Sequence, residues 1–510
     1  MKKSFTLLLL FLFTCCFAQF SKTHYIPPLS GAQISSSNGG GVGPEEQYIY
    51  ISTPSITPIQ FKIKQLGSTI ITGTVSRDLP YVHHVQSSGY GQLIVGSADV
   101  NTVMTDRGYI IEADDMIYVA ARVIAGSGNQ AGALVSKGLA ALGTRLRIGG
   151  FLNKLASAYA ANNYTFVSVL ATENNTVVQF SGIKAGAELV NNASVGNTPS
   201  ATTLNAGESF VMAVQGPLTA NRDALIGSLV TSNKPIALNC GSFGGTNGEM
   251  GNQDLGFDQI VPADRTGSDY IFIKSTGLPN VERALLIADE DNTQIFLNGS
   301  STAAYTINAG DYVALLGTDY SAYGNLFVHT SKNIFAYQSV GDNVLSSQAN
   351  QELFFVPPLS CQTPHNIDNI PLIEQIGTRN FTGRVTIVAE TNASINFIIN
   401  SVPYTLANLP AGTTVIGPLD VLGNTNYKTY VIKGLTGNVS AFSSGQLYLA
   451  AYGSDGAATF GGFYSGFTFK PEVTFGTVNI AQTNCIPNVK LEVSTLTAFD
   501  SFQWHFNNTN

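Results

Sequence analysis

The sequence predicts an all-β protein built from tandem sandwich-like units, and three observations carry the prediction. A strand–turn–strand pattern recurs along the chain at intervals of roughly 100 residues, the size of a β-sandwich. Charged residues make up only 11% of the chain, and 51 Gly, 21 Tyr and 29 Phe take their place beside abundant Ser, Thr and Asn. Helix surfaces draw on Glu, Lys and Arg, whereas this mixture suits strands and tight turns. Beyond the first residues there is almost no 3.6-residue apolar periodicity. A propeller blade needs only about 40–50 residues, so one unit could supply two blades, and a β-propeller is the alternative architecture.

Taken in order, residues 1–18 read as a signal peptide. Lys2 and Lys3 precede an apolar run, Phe5 to Phe13, that is too short to span a bilayer. Cys16-Phe17-Ala18 places small residues where signal peptidase needs them, so cleavage is expected after Ala18. The lipoprotein reading is weaker, because Thr14 and Cys15 are poor residues ahead of a lipidated cysteine. No later stretch approaches the apolar length of a transmembrane helix.

Residues 19–127 form the first unit, with a degenerate hairpin at Tyr48–Thr53 and Ile59–Phe61 and a closing run at Asp114–Ala120. Residues 128–150 have apolar residues at near-helical spacing but also several glycines, and are expected to be a connecting loop or short helix. Units two to four occupy 151–245, 246–345 and 346–475. Their hairpins are Val167–Phe180, Leu285–Phe296 and Val385–Phe397, each with apolar flanks around a polar Asn-containing turn. A second turn follows at Asn205-Ala206-Gly207, Asn308-Ala309-Gly310 and Pro410-Ala411-Gly412, where Gly suits a positive φ. The closing runs are Ser232–Leu238, Ser331–Tyr337 and Gly437–Phe442. Such apolar runs are expected to be core strands, with Ile236, Ala237 and Leu238 matched by Ile334, Phe335 and Ala336. Residues 480–510 change character. Val489–Val493 alternates, and Phe502–Phe506 carries Trp504, the chain's one tryptophan, which looks like the start of a truncated Ig-like or PKD-like module.

Several of these runs resemble a known family. Asp254–Pro262 followed by Tyr270-Ile271-Phe272, the Val-Ser-Lys-Gly stretch at 135–138, Tyr337-Gln338 and Gly461–Phe467 are similar to the domain named after the N-terminal region of the IgGFc-binding protein. The resemblance spans nearly all of residues 24–470. It implies a secreted or cell-surface interaction protein of the kind found in Bacteroidetes, including flavobacteria, where type IX secretion serves such chains. A fold does not carry its ligand with it, so immunoglobulin binding is not implied.

The chemistry legible in the sequence is sparse. Net charge of -8 argues against a nucleic-acid partner, which needs clustered Lys and Arg. There is no nucleophile elbow, P-loop or His-Glu-x-x-His. His83 and His84 are neighbours on a predicted strand and so face opposite ways. Asp289-Glu290-Asp291-Asn292 offers calcium part of a ligand set without a complete motif, and reads as a polar hairpin turn. Asp114-Asp115 reads as another turn. Asp258 and Gln259 occur once rather than in every unit and are the candidate ligand-binding residues, against the reading that they bond modules together. Cys240 and Cys361 could form a disulfide in an oxidising compartment, with free buried thiols the competing reading. The expected function is therefore adhesion or ligand binding to an extracellular protein or glycan, without catalysis and with no cofactor. A structural stalk and an extracellular polysaccharide-active enzyme are the alternatives.

Overall fold

The computed structural model describes residues 21–31, 43–153, 163–192, 201–216, 218–247, 253–345, 348–360, 363, 365–465, 467, 472–477 and 489–494. The signal peptide at 1–18, Cys361, Cys485 and Phe502–Phe506 lie outside the described residues.

The second unit shows the plan. Its strands are Gly143–Arg147, Tyr164–Ala171, Thr176–Ser181, Thr202–Leu204, Ser209–Gln215, Leu229–Gly245 and Asp254–Gln259. The 17-residue strand Leu229–Gly245 is shared between two leaves. Its first half pairs with Gly143–Arg147 and Thr176–Ser181, and its second half with Tyr164–Ala171 and Asp254–Gln259. The sheet therefore folds over on itself and encloses its own apolar face. Units one and three repeat the scheme around the long strands Tyr109–Ala125 and Asn325–Leu345. The corners coincide: Ser21 opposes Ile117, Gly143 opposes Ile236 and Gly267 opposes Ile334, each beside a bulge that turns the strand. Ile236, Ala237, Leu238, Ile334, Phe335 and Ala336 are all fully buried just past these corners.

Three expectations change. In the fourth unit Ala389 opposes Leu447 as Ala171 opposes Ile236 and Ala288 opposes Ile334. The run Gly437–Phe442 is thus the first half of the long strand, displaced by half a strand from its supposed equivalents. Both halves are short apolar runs, and local pattern cannot separate them. Asp114-Asp115 lies inside the strand Tyr109–Ala125, beside its corner, rather than between strands. Residues 128–150 contain the strand Gln130–Val135, a 3-10 turn Gly138–Ala141 and the strand Gly143–Arg147. The near-helical apolar spacing there reflects a strand buried on both faces. The first three units consequently end one strand later than their expected boundaries, whereas the last strand of the fourth, Ala458–Phe463, falls within its expected range.

That extra strand builds the assembly. Gln130–Val135, Asp254–Gln259, Gln348–Phe355 and Ala458–Phe463 each follow a long strand, and each packs against the next, the fourth returning to the first. Four sandwiches therefore surround one axis, one unit in each blade position. The apolar cores interlock in the same cycle. One cluster joins Ile49 and Ile111 to Phe166 and Phe257, the next joins Val169 and Leu238 to Leu285 and Phe335, the third joins Ile334 to Tyr448, and the fourth returns from Ile387 and Leu449 to Tyr118 and Val135. Polar contacts seal the last junction: the Arg122 guanidinium donates to the carbonyls of Pro371, Leu372 and Gln375 at 2.6–2.8 Å and stacks 4.1 Å from the Tyr50 ring.

The repeated turns follow their sequence. Asn175, Asn292 and Asn392 take φ of 56°, 56° and 74°, and Gly207, Gly310 and Gly412 take 85°, 88° and 89°. In units two and three the turns are stapled together: Asn174 Oδ1 accepts the Ala206 N–H, and Asp291 Oδ1 accepts the Ala309 N–H. Past the fourth unit, Glu472–Thr477 and Val489–Ser494 pair as a hairpin, in keeping with the strand expected at Val489–Val493.

Candidate functional site

The four inner strands are sheet edges, and their free N–H groups face the axis. Buried donors without partners cost roughly 1–3 kcal/mol each, so something must accept them. Three carboxylates do, in three successive layers. Asp254 accepts Ala131, Leu255 and Thr459 N–H at 2.9, 2.9 and 3.0 Å. Glu352 accepts Ala133, Leu353 and Gly461 N–H at 3.2, 2.9 and 2.9 Å. Asp258 accepts Val135, Gln259 and Phe355 N–H at 3.2, 2.8 and 3.0 Å. Each acid thus serves three strands, and all three acids are at most 2% exposed.

A cation stands at one end of the column. Lys137, 1% exposed, donates to Asp258 Oδ1 and Oδ2 at 2.9 and 2.8 Å and to the Val135 carbonyl at 2.8 Å. Gln259 continues the layer: its Oε1 accepts Lys137 N–H at 2.7 Å and the Ser136 hydroxyl at 3.0 Å, and its Nε2 donates to the Tyr25 carbonyl at 2.7 Å. His24, fully buried, lies 3.0 Å from both Ser136 Oγ and the Ile117 carbonyl. A carbonyl only accepts, so Nε2 carries the proton.

Burial sets the electrostatics. It pushes the Glu352 carboxyl well above its ordinary range; the backbone donors oppose this and the charge of Asp254 adds to it. It pushes the Asp258 carboxyl up and the Lys137 ammonium down, each partly restored by the other. The His24 imidazole is driven down to about 4 by desolvation.

The structure thus places Asp258 and Gln259 together at the axis, wholly enclosed and engaged with four chain segments. Lys137, Asp254 and Glu352 complete the column and were not singled out as site residues in the sequence. The available signal was a lone acid in an apolar strand: Glu352 precedes Leu353-Phe354-Phe355-Val356, and Asp254 and Asp258 flank Leu255-Gly256-Phe257. Such a position requires an internal donor. Cys240 is a free buried thiol that accepts the Gly149 N–H at 3.4 Å, and burial raises it to about 12. In the acidic turn, Asp289 pairs with Arg145 and Arg147 at 2.9 and 2.7 Å, Lys332 lies 3.5 Å from Glu290, and Asp291 is occupied by the turn staple. Among the described residues no group of three or more His, Cys, Asp and Glu is placed to hold a metal ion. His84 stacks 4.7 Å from Tyr48 and lies 3.0 Å from Glu46.

Residues 131–453, more than half of the chain, match the family described as IgGFc binding protein. The chain belongs to this family. No curated protein matches it. The IgGFc-binding match begins in the first inner strand and takes in Lys137, Asp254, Asp258 and Glu352, so the axial column is part of the matched region. No helix among the described residues is long and apolar enough to cross a membrane.

Proposed function

We propose that this is an exported adhesion or ligand-binding protein that contacts an extracellular protein or glycan and has no catalysis of its own. Membership of the IgGFc-binding family over residues 131–453 carries the reading. The signal-peptide pattern at 1–18 supports export, and the cleavage context after Ala18 resembles that of secreted Bacteroidetes proteins of this family, for which type IX secretion is the proposed route. The axial acids accept backbone donors in a closed interior, so they serve assembly rather than substrate turnover. A polysaccharide-active enzyme needs two carboxylates across an open cleft, about 5–9.5 Å apart.

The closed ring also weighs against a stalk, because four units packed around one axis gain little length over one. The exposed large apolar residues among those described include Tyr305 and Tyr323. The surface favours polar recognition by Thr, Asn and Ser side chains, with calcium dispensable. The test is a glycan and protein array, with immunoglobulin Fc among its spots, probed with the folded secreted chain with and without chelator. Saturable binding to one ligand class supports the proposal. Absence of binding to every class by folded protein refutes it and favours the spacer.

A further inference from the structure

Lys137 and Asp258 form an ion pair shut off from solvent. Their side chains are 0% and 1% exposed. The lysine nitrogen lies 2.9 and 2.8 Å from the two carboxyl oxygens. Contacts that short to both oxygens put Nζ about 3 Å from Cγ and near the carboxyl plane, so a turn of the carboxyl about Cβ–Cγ is what presents the face of Cγ to the nitrogen. The Val135 carbonyl also accepts from the nitrogen, at 2.8 Å. Three backbone N–H groups, from Val135, Gln259 and Phe355, point at the carboxyl oxygens, the arrangement that stabilises a developing oxyanion. The Phe467 ring lies 5.6 Å from Nζ and helps keep the site dry.

We propose that Lys137 and Asp258 condense to an intramolecular amide that cross-links the first unit to the second. The ammonium first passes a proton to the carboxylate, giving amine and acid. The amine lone pair attacks Cγ and the N–C bond forms, with the negative oxygen held by the backbone donors. The C–O bond to the hydroxyl then breaks, and the hydroxyl leaves as water with a proton from nitrogen. Nothing is oxidised or reduced. Burial favours the reactive neutral pair, since it moves the lysine down and the acid up. An exported protein whose buried Cys240 is a free thiol would gain in this way a cross-link that reductants cannot open.

Denatured intact-mass measurement of the purified full chain decides the matter, with Lys137→Arg alongside. The expected wild-type mass is one water, about 18 Da, below that calculated for its sequence from the measured N-terminus, and the variant carries no deficit. Fragmentation should locate the amide between the peptides holding Lys137 and Asp258. A wild-type chain at full sequence mass overturns the proposal, as does a water loss mapped to any other residue pair. The measurement is made on unfolded chains, so it does not depend on the variant folding.

Discussion

Removing the Glu352 carboxylate tests the account of the axis most directly. Glu352→Ala leaves the N–H groups of Ala133, Leu353 and Gly461 without their acceptor, in three different units. Each orphaned buried donor costs roughly 1–3 kcal/mol, so the three together predict a loss of about 3–6 kcal/mol after local relaxation. Glu352→Gln separates acceptor from charge. Oε2 takes two of the donors and Oε1 one, so an amide can set its carbonyl at the two-donor position and lose a single bond, for about 1–2 kcal/mol. The two variants should also differ in pH dependence. The folded-state pKa of Glu352 is raised above its ordinary 4.5, so its contribution is fully present below that pH and is lost as pH rises through the folded value. Glu352→Gln abolishes this slope, and its deficit relative to wild type should shrink from pH 4 to pH 8. Urea unfolding followed by circular dichroism reads both effects. A Glu352→Ala variant within 1 kcal/mol of wild type at neutral pH would refute the idea that the carboxylates carry the inner strand edges.

Three further outcomes are expected. His24 has a folded pKa of about 4 against 6.5, so the unfolded chain takes its proton first; stability is complete above 6.5 and falls by about 3 kcal/mol towards pH 4, a loss that His24→Gln should reduce in acid unfolding curves. Arg122→Leu strips three carbonyls of the fourth unit of their donor and should cost about 3–5 kcal/mol, with limited proteolysis opening the 371–380 segment first; an unchanged cleavage pattern would contradict this closure of the ring. Asn292→Ala forces alanine into φ of 56° and should cost about 1 kcal/mol by thermal unfolding, while Asn292→Gly should be close to neutral.

Much of the unit was legible in the chain because its signals are local. The Asn of each hairpin and the Gly of each following turn announce a positive φ within a few residues, and the structure puts all six there. The acidic turn of the third unit also reads correctly as a turn, although its staple from Asp291 to Ala309 joins two loops that the sequence shows only side by side in the repeat. Asp258 and Gln259 stood out because they occur once, whereas their partner Lys137, more than a hundred residues away, did not.

The sequence by itself determined the strand content, the repeat and most of its turns, since alternation, Gly and Asn act over a handful of residues. It also determined that Ile236 and Ile334 mark equivalent corners, because both follow the same polar break. Only the tertiary structure decided that the fourth copy of that corner is Leu447, that residues 130–135 form a strand, and that four units close around one axis. An inner strand is recognisable by the neighbour that covers its edge, and that neighbour belongs to another unit. The same reason hid the acids: Asp254, Glu352 and Asp258 acquire their role only when nine backbone donors from four distant strands arrive at one place.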